Sequence, residues 1–287
     1  MILDGYLVAK NLDAYILNEI NKNKDYYIWK YVAFLLFNNN EPSRVYIKMK
    51  QNKAHKFWLQ TKIIEKVNAD FETASNIVNK LNLDENCIWI LIQLPVNDKI
   101  KPYQHKLLSQ IHLKKDIDGL WGVLFGLNQI DAIRFLPATA RAVFEILSFY
   151  KIWVAGKNIS ILWQSNLAGK PIVLEMIRQN GTVFSFNEFS DQNLIKELTR
   201  KSDIIISATW KLHLINSSYL NPNRMQVLID IGWWKLDNKP TWDYNFEEIF
   251  SAYDESNFMY TPVPGWVGPV TVSSIFANLV DLKNIEK

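Results

Sequence analysis

Short runs of contiguous apolar residues, each of strand length and closed by turn-forming residues, constrain the fold of this chain more than any other feature. In the second half these runs are Asn158 to Leu162, Thr182 to Phe186, Asp203 to Ala208 and Val227 to Ile231, and Ile172, Val173, Met176 and Ile177 lie between the first two at helical spacing. A continuous apolar strand is buried on both faces, the condition of a parallel sheet covered by helices. Strands alternating with helices imply right-handed crossovers and a doubly wound, Rossmann-like α/β fold.

The first half has the same vocabulary. Leu12, Ile16 and Ile20 mark an amphipathic helix. Val32 to Phe37 reads as a buried strand ended by Asn38, Asn39, Asn40 and Pro42, and Ile88 to Leu94 as another, closed by Pro95. Between them Ser43 is placed to cap a helix running to about Phe57, on which Tyr46 and Lys50, four residues apart, face the same way. At 287 residues the chain is long enough for two modest domains, since single cores stop growing at roughly 250 to 300 residues.

Composition narrows the function classes. Hydrophobic residues at 48% and charged residues at 21% are the balance of a globular protein. The formal charge of +3 is spread along the chain without a basic stripe, which argues against a nucleic-acid partner. A single cysteine, Cys87, forms no internal disulfide, and no Cys/His cluster has the spacing of a metal site. His55, His105, His112 and His213 fit neither a metal nor a triad pattern. No stretch reaches the 18 apolar residues of a membrane span, and the start lacks the order of a signal peptide, so the expectation is a soluble cytoplasmic protein with no membrane partner.

In a doubly wound sheet, ligands sit beyond the carboxyl ends of the strands, where the first strand-to-helix turn presents backbone N–H groups to phosphate. That turn is Trp163 to Pro171, W-Q-S-N-L-A-G-K-P, which is not GxGxxG. On pattern alone the dinucleotide signal is weak.

Six segments, in order, resemble the bifunctional methylenetetrahydrofolate dehydrogenase/cyclohydrolase family from Leu3-Asp4-Gly5 onward. They are Ser43-Arg44-Val45-Tyr46 through Lys50; Ile92-Gln93-Leu94-Pro95; Lys115-Asp116-Ile117-Asp118-Gly119; Trp163 to Pro171; Leu228 to Gly232; and Thr261 to Thr271. The resemblance implies oxidation of 5,10-methylenetetrahydrofolate by a nicotinamide cofactor and hydrolysis of the methenyl product to 10-formyltetrahydrofolate, both in one folate cleft. It makes Lys50 the group that moves protons as water adds to a cationic amidinium carbon. A lysine does this near neutral pH only if burial or neighbours lower its pKa, whereas a helical lysine is ordinarily a solvated surface charge.

By the same resemblance Gln93 orients that amine, Tyr46 stacks on the aromatic middle of folate, and Asp118 accepts hydrogen bonds from the pterin. Pro95, Pro264 and Gly265 join them in the substrate site. The implied cofactor residues are Thr139, Trp163, Gln164, Ser165, Gly169, Glu188, Ile231 and Thr271. Also implied are a folate-binding catalytic domain over 1–140 completed by a C-terminal helix over 271–287, a nucleotide-binding domain over 141–270, and a homodimer.

The cofactor half departs from the family pattern. Gln164 stands where the family has an Arg able to grip the 2′-phosphate of NADP. Glu188 replaces a serine, where an acid repels that phosphate and accepts hydrogen bonds from NAD ribose. Both lean toward NAD, although the family's usual cofactor is NADP. Pro137-Ala138-Thr139-Ala140 keeps only the Pro and Thr of the family's P-C-T-P.

The chain has 11 Trp and only 10 Gly, against an average glycine usage of about 7%. Trp58, Trp89, Trp163, Trp210, Trp242 and Trp266 all fall where the family pattern has Gly. Either the cofactor site has been lost and filled with aromatics, or UGA codons read as glycine in the organism have been translated as tryptophan. Six such replacements are hard to reach through single tolerated steps, which favours the second. The alternative to the bifunctional enzyme is a cyclohydrolase alone or a noncatalytic folate-binding remnant.

Overall fold

The structure, a computed structural model, describes residues 1–119, 124, 126–127, 135–232, 234–236, 239–262 and 267–285, with backbone alone at 234–236, 239–241 and 284–285. Pro264, Gly265 and Trp266 lie outside the described residues. The chain forms two compact units, Asn11–Ala138 with Val272–Lys287, and Met1–Lys10 with Thr139–Thr271.

The helix α1 (Gly5–Lys22) and the short α2 (Lys24–Tyr27) lead into β1 (Tyr31–Leu36), α3 (Glu41–Lys56), β2 (Gln60–Glu65), α4 (Phe71–Leu83), β3 (Cys87–Gln93) and α5 (Gln104–Leu108). The three strands form a parallel sheet in the order β2-β1-β3. Side chains alternate across its pleat. Val32, Phe34, Leu36, Trp89 and Leu91 pack on one face with Leu12 and Ile16 of α1, Ile47 and Phe57 of α3, and Ile275, Phe276 and Leu279 near the C-terminus. Ala33, Leu35, Ile90 and Ile92 pack on the other with Ala74, Val78 and Leu81 of α4.

Two sequence expectations need correction. Helix α3 begins at Glu41 with Asn40 in the cap position, so Ser43 is its third residue and not its cap. Pro42 explains the earlier start: it lacks an N–H, and the first turn of a helix needs none there. The Ser43 hydroxyl instead accepts a hydrogen bond from Asn38 Nδ2 at 3.2 Å. Strand β2 has no counterpart in the sequence reading because it is an edge strand whose residues are half-buried or exposed, with no apolar run to betray it.

The second unit contains α6 (Ala138–Phe149, from Thr139 on), β4 (Asn158–Leu162), α7 (Gly169–Arg178), β5 (Thr182–Phe186), α8 (Gln192–Lys201), β6 (Ile204–Ser207) and β7 (Gln226–Asp230). A small antiparallel pair, β8 (Trp234–Leu236) and β9 (Lys239–Thr241), precedes α9 (Phe246–Ala252) and β10 (Phe258–Tyr260). The five-stranded sheet is parallel throughout, in the order β10-β7-β6-β4-β5. The order reverses between β4 and β6, the switch point where ligands bind in such sheets. Residues 1–3 add to the β10 edge, Leu3 N donating to Tyr260 O at 2.8 Å and Tyr260 N to Met1 O at 3.0 Å. Helix α10 (Val267–Ile285) closes the chain.

Lys115 shows how a charged motif residue serves the first unit's frame. Its Nζ donates to the carbonyls of Leu81, Asn82 and Asp84 at 2.9, 2.8 and 2.8 Å, capping the end of α4. Leaving three carbonyls without that donor costs about 2 kcal/mol. Lys115→Met is expected to lower unfolding free energy by that amount in urea titrations.

Candidate functional site

In the first unit, chemistry-bearing residues converge at the carboxyl ends of β1 and β3. Lys50 points inward from α3 and is 8% exposed. Its Nζ donates to Gln93 Oε1 at 3.0 Å, and Gln93 Nε2 in turn donates to Leu94 O at 2.8 Å, which fixes the amide's orientation at the end of β3. Burial pushes the Lys50 pKa below the ordinary value, partly opposed by the charge of Asp118. Burial likewise raises Asp118, and Lys50 pulls it back down. Each group is thus the other's principal electrostatic neighbour. Tyr46, half-buried one turn before Lys50, has a phenol pushed up to about 12 by burial.

The turns around this group are held by polar side chains. Asn38, 6% exposed, donates to Pro95 O and takes the Asn40 N–H at 2.8 Å, tying the end of β1 to the start of α3 and to the turn after β3. Pro95 itself is exposed and follows a cis peptide bond. Asn97 Nδ2 donates to Val67 O at 2.9 Å and Ala69 O at 2.8 Å, holding the loop after β2. Asp116 is paired beside Ile90 of the sheet, and its Oδ1 accepts Gly119 N at 3.1 Å. Gly119 has φ +69°, and a Cβ there would lie 2.4 Å from the Phe135 ring. That turn therefore requires glycine, and it carries Asp118.

A buried amine held by one amide and facing the charge of a carboxylate releases its proton more readily than an ordinary lysine. Lys50, Gln93 and Asp118 are brought together as the sequence suggests, with Tyr46 on the same helix face. Asn38, Asn97 and Asp116 are positioning residues that sequence reasoning passes over. Asn38 reads as one of several turn formers after β1 and Asp116 as one acid among two, while Asn97 carries no signal in the sequence.

In the second unit a cavity lies at the carboxyl ends of β4, β5 and β6, lined by Trp163, Asn187, Glu188, Gln192, Thr209 and Lys211 among others. Gly169 opens α7 so close to the end of β4 that a Cβ would lie 1.9 Å from Trp163 O. Ser165 Oγ accepts the N–H groups of Ala168 and Gly169 at 3.2 and 3.3 Å. Gln164 is turned away: its amide donates to Ser185 Oγ at 3.0 Å and accepts from Asn187 Nδ2 at 3.1 Å. Glu188 is exposed at the cavity rim. Thr139, Ile231 and Thr271 are half-buried outside the cavity lining, with Thr271 Oγ1 donating to Val267 O at 2.9 Å.

A carboxylate network missed by sequence reasoning holds the loop after β6. Asp243 accepts Ser207 Oγ at 2.7 Å and the N–H groups of Thr209 and Lys211 at 2.6 and 3.1 Å. Asp230 Oδ2 accepts the N–H groups of Asp243 and Tyr244 at 2.9 and 3.1 Å. Burial, and then the neighbouring Asp243, raise the Asp230 pKa well above the carboxylate range. Among the described residues no group of three His, Cys, Asp or Glu side chains is placed to hold a metal ion, and no helix is long and apolar enough to cross a membrane.

The lowered Lys50 pKa has a thermodynamic sign. Between the folded value and the ordinary 10.5 the unfolded chain binds more protons than the folded one. Stability from this group therefore rises with pH across that window. In Lys50→Met the rise is expected to vanish from unfolding free energies measured through the alkaline range.

Residues 3–118 match the family model for the tetrahydrofolate dehydrogenase/cyclohydrolase catalytic domain, and residues 137–287 the model for the NAD(P)-binding domain of the same family. The bifunctional protein FolD of Lactobacillus acidophilus is 31% identical over 98% of this chain and 96% of its own length. The bifunctional methylenetetrahydrofolate dehydrogenase/cyclohydrolase of Campylobacter jejuni superposes with a TM-score of 0.90 at 26% identity, covering 99% of each chain. The Trypanosoma brucei enzyme, solved with NADP and an inhibitor, does so with 0.89 at 26%, covering 100% of this chain and 98% of that one.

Proposed function

Because the chain belongs to the tetrahydrofolate dehydrogenase/cyclohydrolase family, we propose that it oxidises 5,10-methylenetetrahydrofolate with NAD(P) and hydrolyses the methenyl product to 10-formyltetrahydrofolate. It is an enzyme of one-carbon metabolism, both an oxidoreductase and a hydrolase. The observation that carries the reading is the buried Lys50–Gln93 pair with Asp118 as its charged neighbour. In hydrolysis, water adds to the methenyl carbon, one carbon–nitrogen bond opens and a proton is released. Lys50 moves the protons, Gln93 fixes its amine, and Asp118 accepts hydrogen bonds from the pterin. Tyr46 stacks on the aminobenzoyl ring, and Pro95 lines the same region, with Pro264 and Gly265 as further substrate contacts.

The cavity beyond β4, β5 and β6 lies at the switch point of a parallel sheet, the place a nicotinamide dinucleotide takes in such folds. When bound there, a nicotinamide would supply the hydride acceptor for oxidation of the methylene carbon. Ser165 shapes the turn, and Glu188 receives the ribose hydroxyls. With Gln164 occupied by Ser185 and Asn187, no cation stands at that position to meet a 2′-phosphate, which supports NAD over NADP. The catalytic domain is assigned to 1–140 with 271–287 and the cofactor domain to 141–270. The enzyme works as a cytoplasmic homodimer.

Paired assays of methylene-folate oxidation and methenyl-folate hydrolysis test the assignment. Lys50→Met is expected to reduce hydrolysis at least 100-fold while the protein stays folded, and unchanged hydrolysis contradicts the mechanism. Wild-type kcat/KM is expected to favour NAD over NADP, with Glu188→Ser narrowing the gap.

A further inference from the structure

Trp58, Trp163 and Trp210 have backbone φ values of 57°, 99° and 60°. Bulky side chains rarely enter this region, which glycine occupies freely. Six described residues other than glycine have positive φ, and three of them are tryptophan, although tryptophan is only 11 of 287 residues. Two of the other three are Asn180 and His213, types that tolerate the left-handed region.

Trp58 and Trp210 sit where local bonding holds that conformation, and Trp163 where the backbone packs closely against Gly169. Trp58 follows α3: its N–H donates to His55 O at 3.0 Å and the N–H of Leu59 to Ala54 O at 3.0 Å. This pair of bonds ends helices on a left-handed residue that is usually glycine. Trp210 lies between Thr209 and Lys211, whose N–H groups both point at the Asp243 carboxylate. Trp163 joins β4 to the turn, with its carbonyl against Gly169. The indoles gain little in return, since Trp58 and Trp210 are 69% and 55% exposed. Trp29 and Trp153, 77% and 76% exposed, have no positive φ and form the contrast. Trp89 and Trp242 are likewise outside the strained set, and Trp89 is packed inside the first unit.

We infer that the protein made by its own organism carries glycine at positions 58, 163 and 210, encoded by UGA codons that the organism reads as glycine. Glycine at 163 removes an indole from the cavity lining and frees the turn before α7 for a dinucleotide's phosphates. The inference rests on backbone conformation and stands whatever the substrate.

Peptide masses of the protein purified from its source, read beside the gene's codons, test it. Glycine masses with UGA at 58, 163 and 210, and tryptophan masses with UGG at 29 and 153, are the expected result. A tryptophan mass or a UGG codon at any of the first three positions overturns it. In the chain as written, the triple variant Trp58→Gly, Trp163→Gly, Trp210→Gly is expected to melt several degrees higher, while Trp29→Gly and Trp153→Gly do not raise the Tm. A lower Tm for the triple variant overturns the inference as well.

Discussion

The hydrogen bond from Lys50 Nζ to Gln93 Oε1 is the contact on which the chemistry proposed for the first unit depends. It joins the middle of α3 to the last residue of β3, so both elements must be placed before the amine can be held. Helix α3 is set at one end by Asn38, which bridges the end of β1 to the helix start and to the turn after β3. At the other end it is set by the left-handed residue at 58. Without those ties the lysine would keep its ordinary hydrated charge, which is what helical lysines otherwise do.

The second unit relies on a comparable constraint at the carboxyl ends of its strands. Asp243 binds the loop after β6, and Asp230 binds the backbone of Asp243, so one carboxyl positions the residue that positions the loop. Gly232 is required there because a Cβ would lie 2.4 Å from Asp243 Oδ1. Thr209 and Lys211, whose N–H groups Asp243 holds, line the cavity together with Trp163, whose carbonyl packs against Gly169.

Strands with apolar runs were legible in the sequence: β4 matches the expected span residue for residue, β1, β3, β6 and β7 differ only at their ends, and β5 matches its span although it is a partly exposed edge strand and not buried on both faces. Strands β2 and β10 were not, since β2 has no buried residue and β10 is three residues long. Helix α3 was legible as a helix but not in its start, because two competing cap candidates lie within four residues and proline decides between them. At the site, spacing told only that Tyr46 and Lys50 share a helix face; the grouping of Lys50 with Gln93 and Asp118 came from the ordered segments resembling one family, and the structure bonds Lys50 to Gln93 with Asp118 as its electrostatic neighbour. The asparagine ties and the Asp230–Asp243 network were illegible, because their bonds join residues distant in sequence and carry no local pattern.

The central claim is that the fold holds Lys50 as an amine that titrates below the ordinary lysine range. Nuclear magnetic resonance of the protein labelled at lysine Nζ measures this directly, with Lys50→Met assigning the signal. The account predicts a Lys50 pKa lowered by burial, and lower still in Asp118→Asn, because the Asp118 charge opposes the shift. Titration of Lys50 at the ordinary value of 10.5, unmoved by the loss of Asp118, would contradict it.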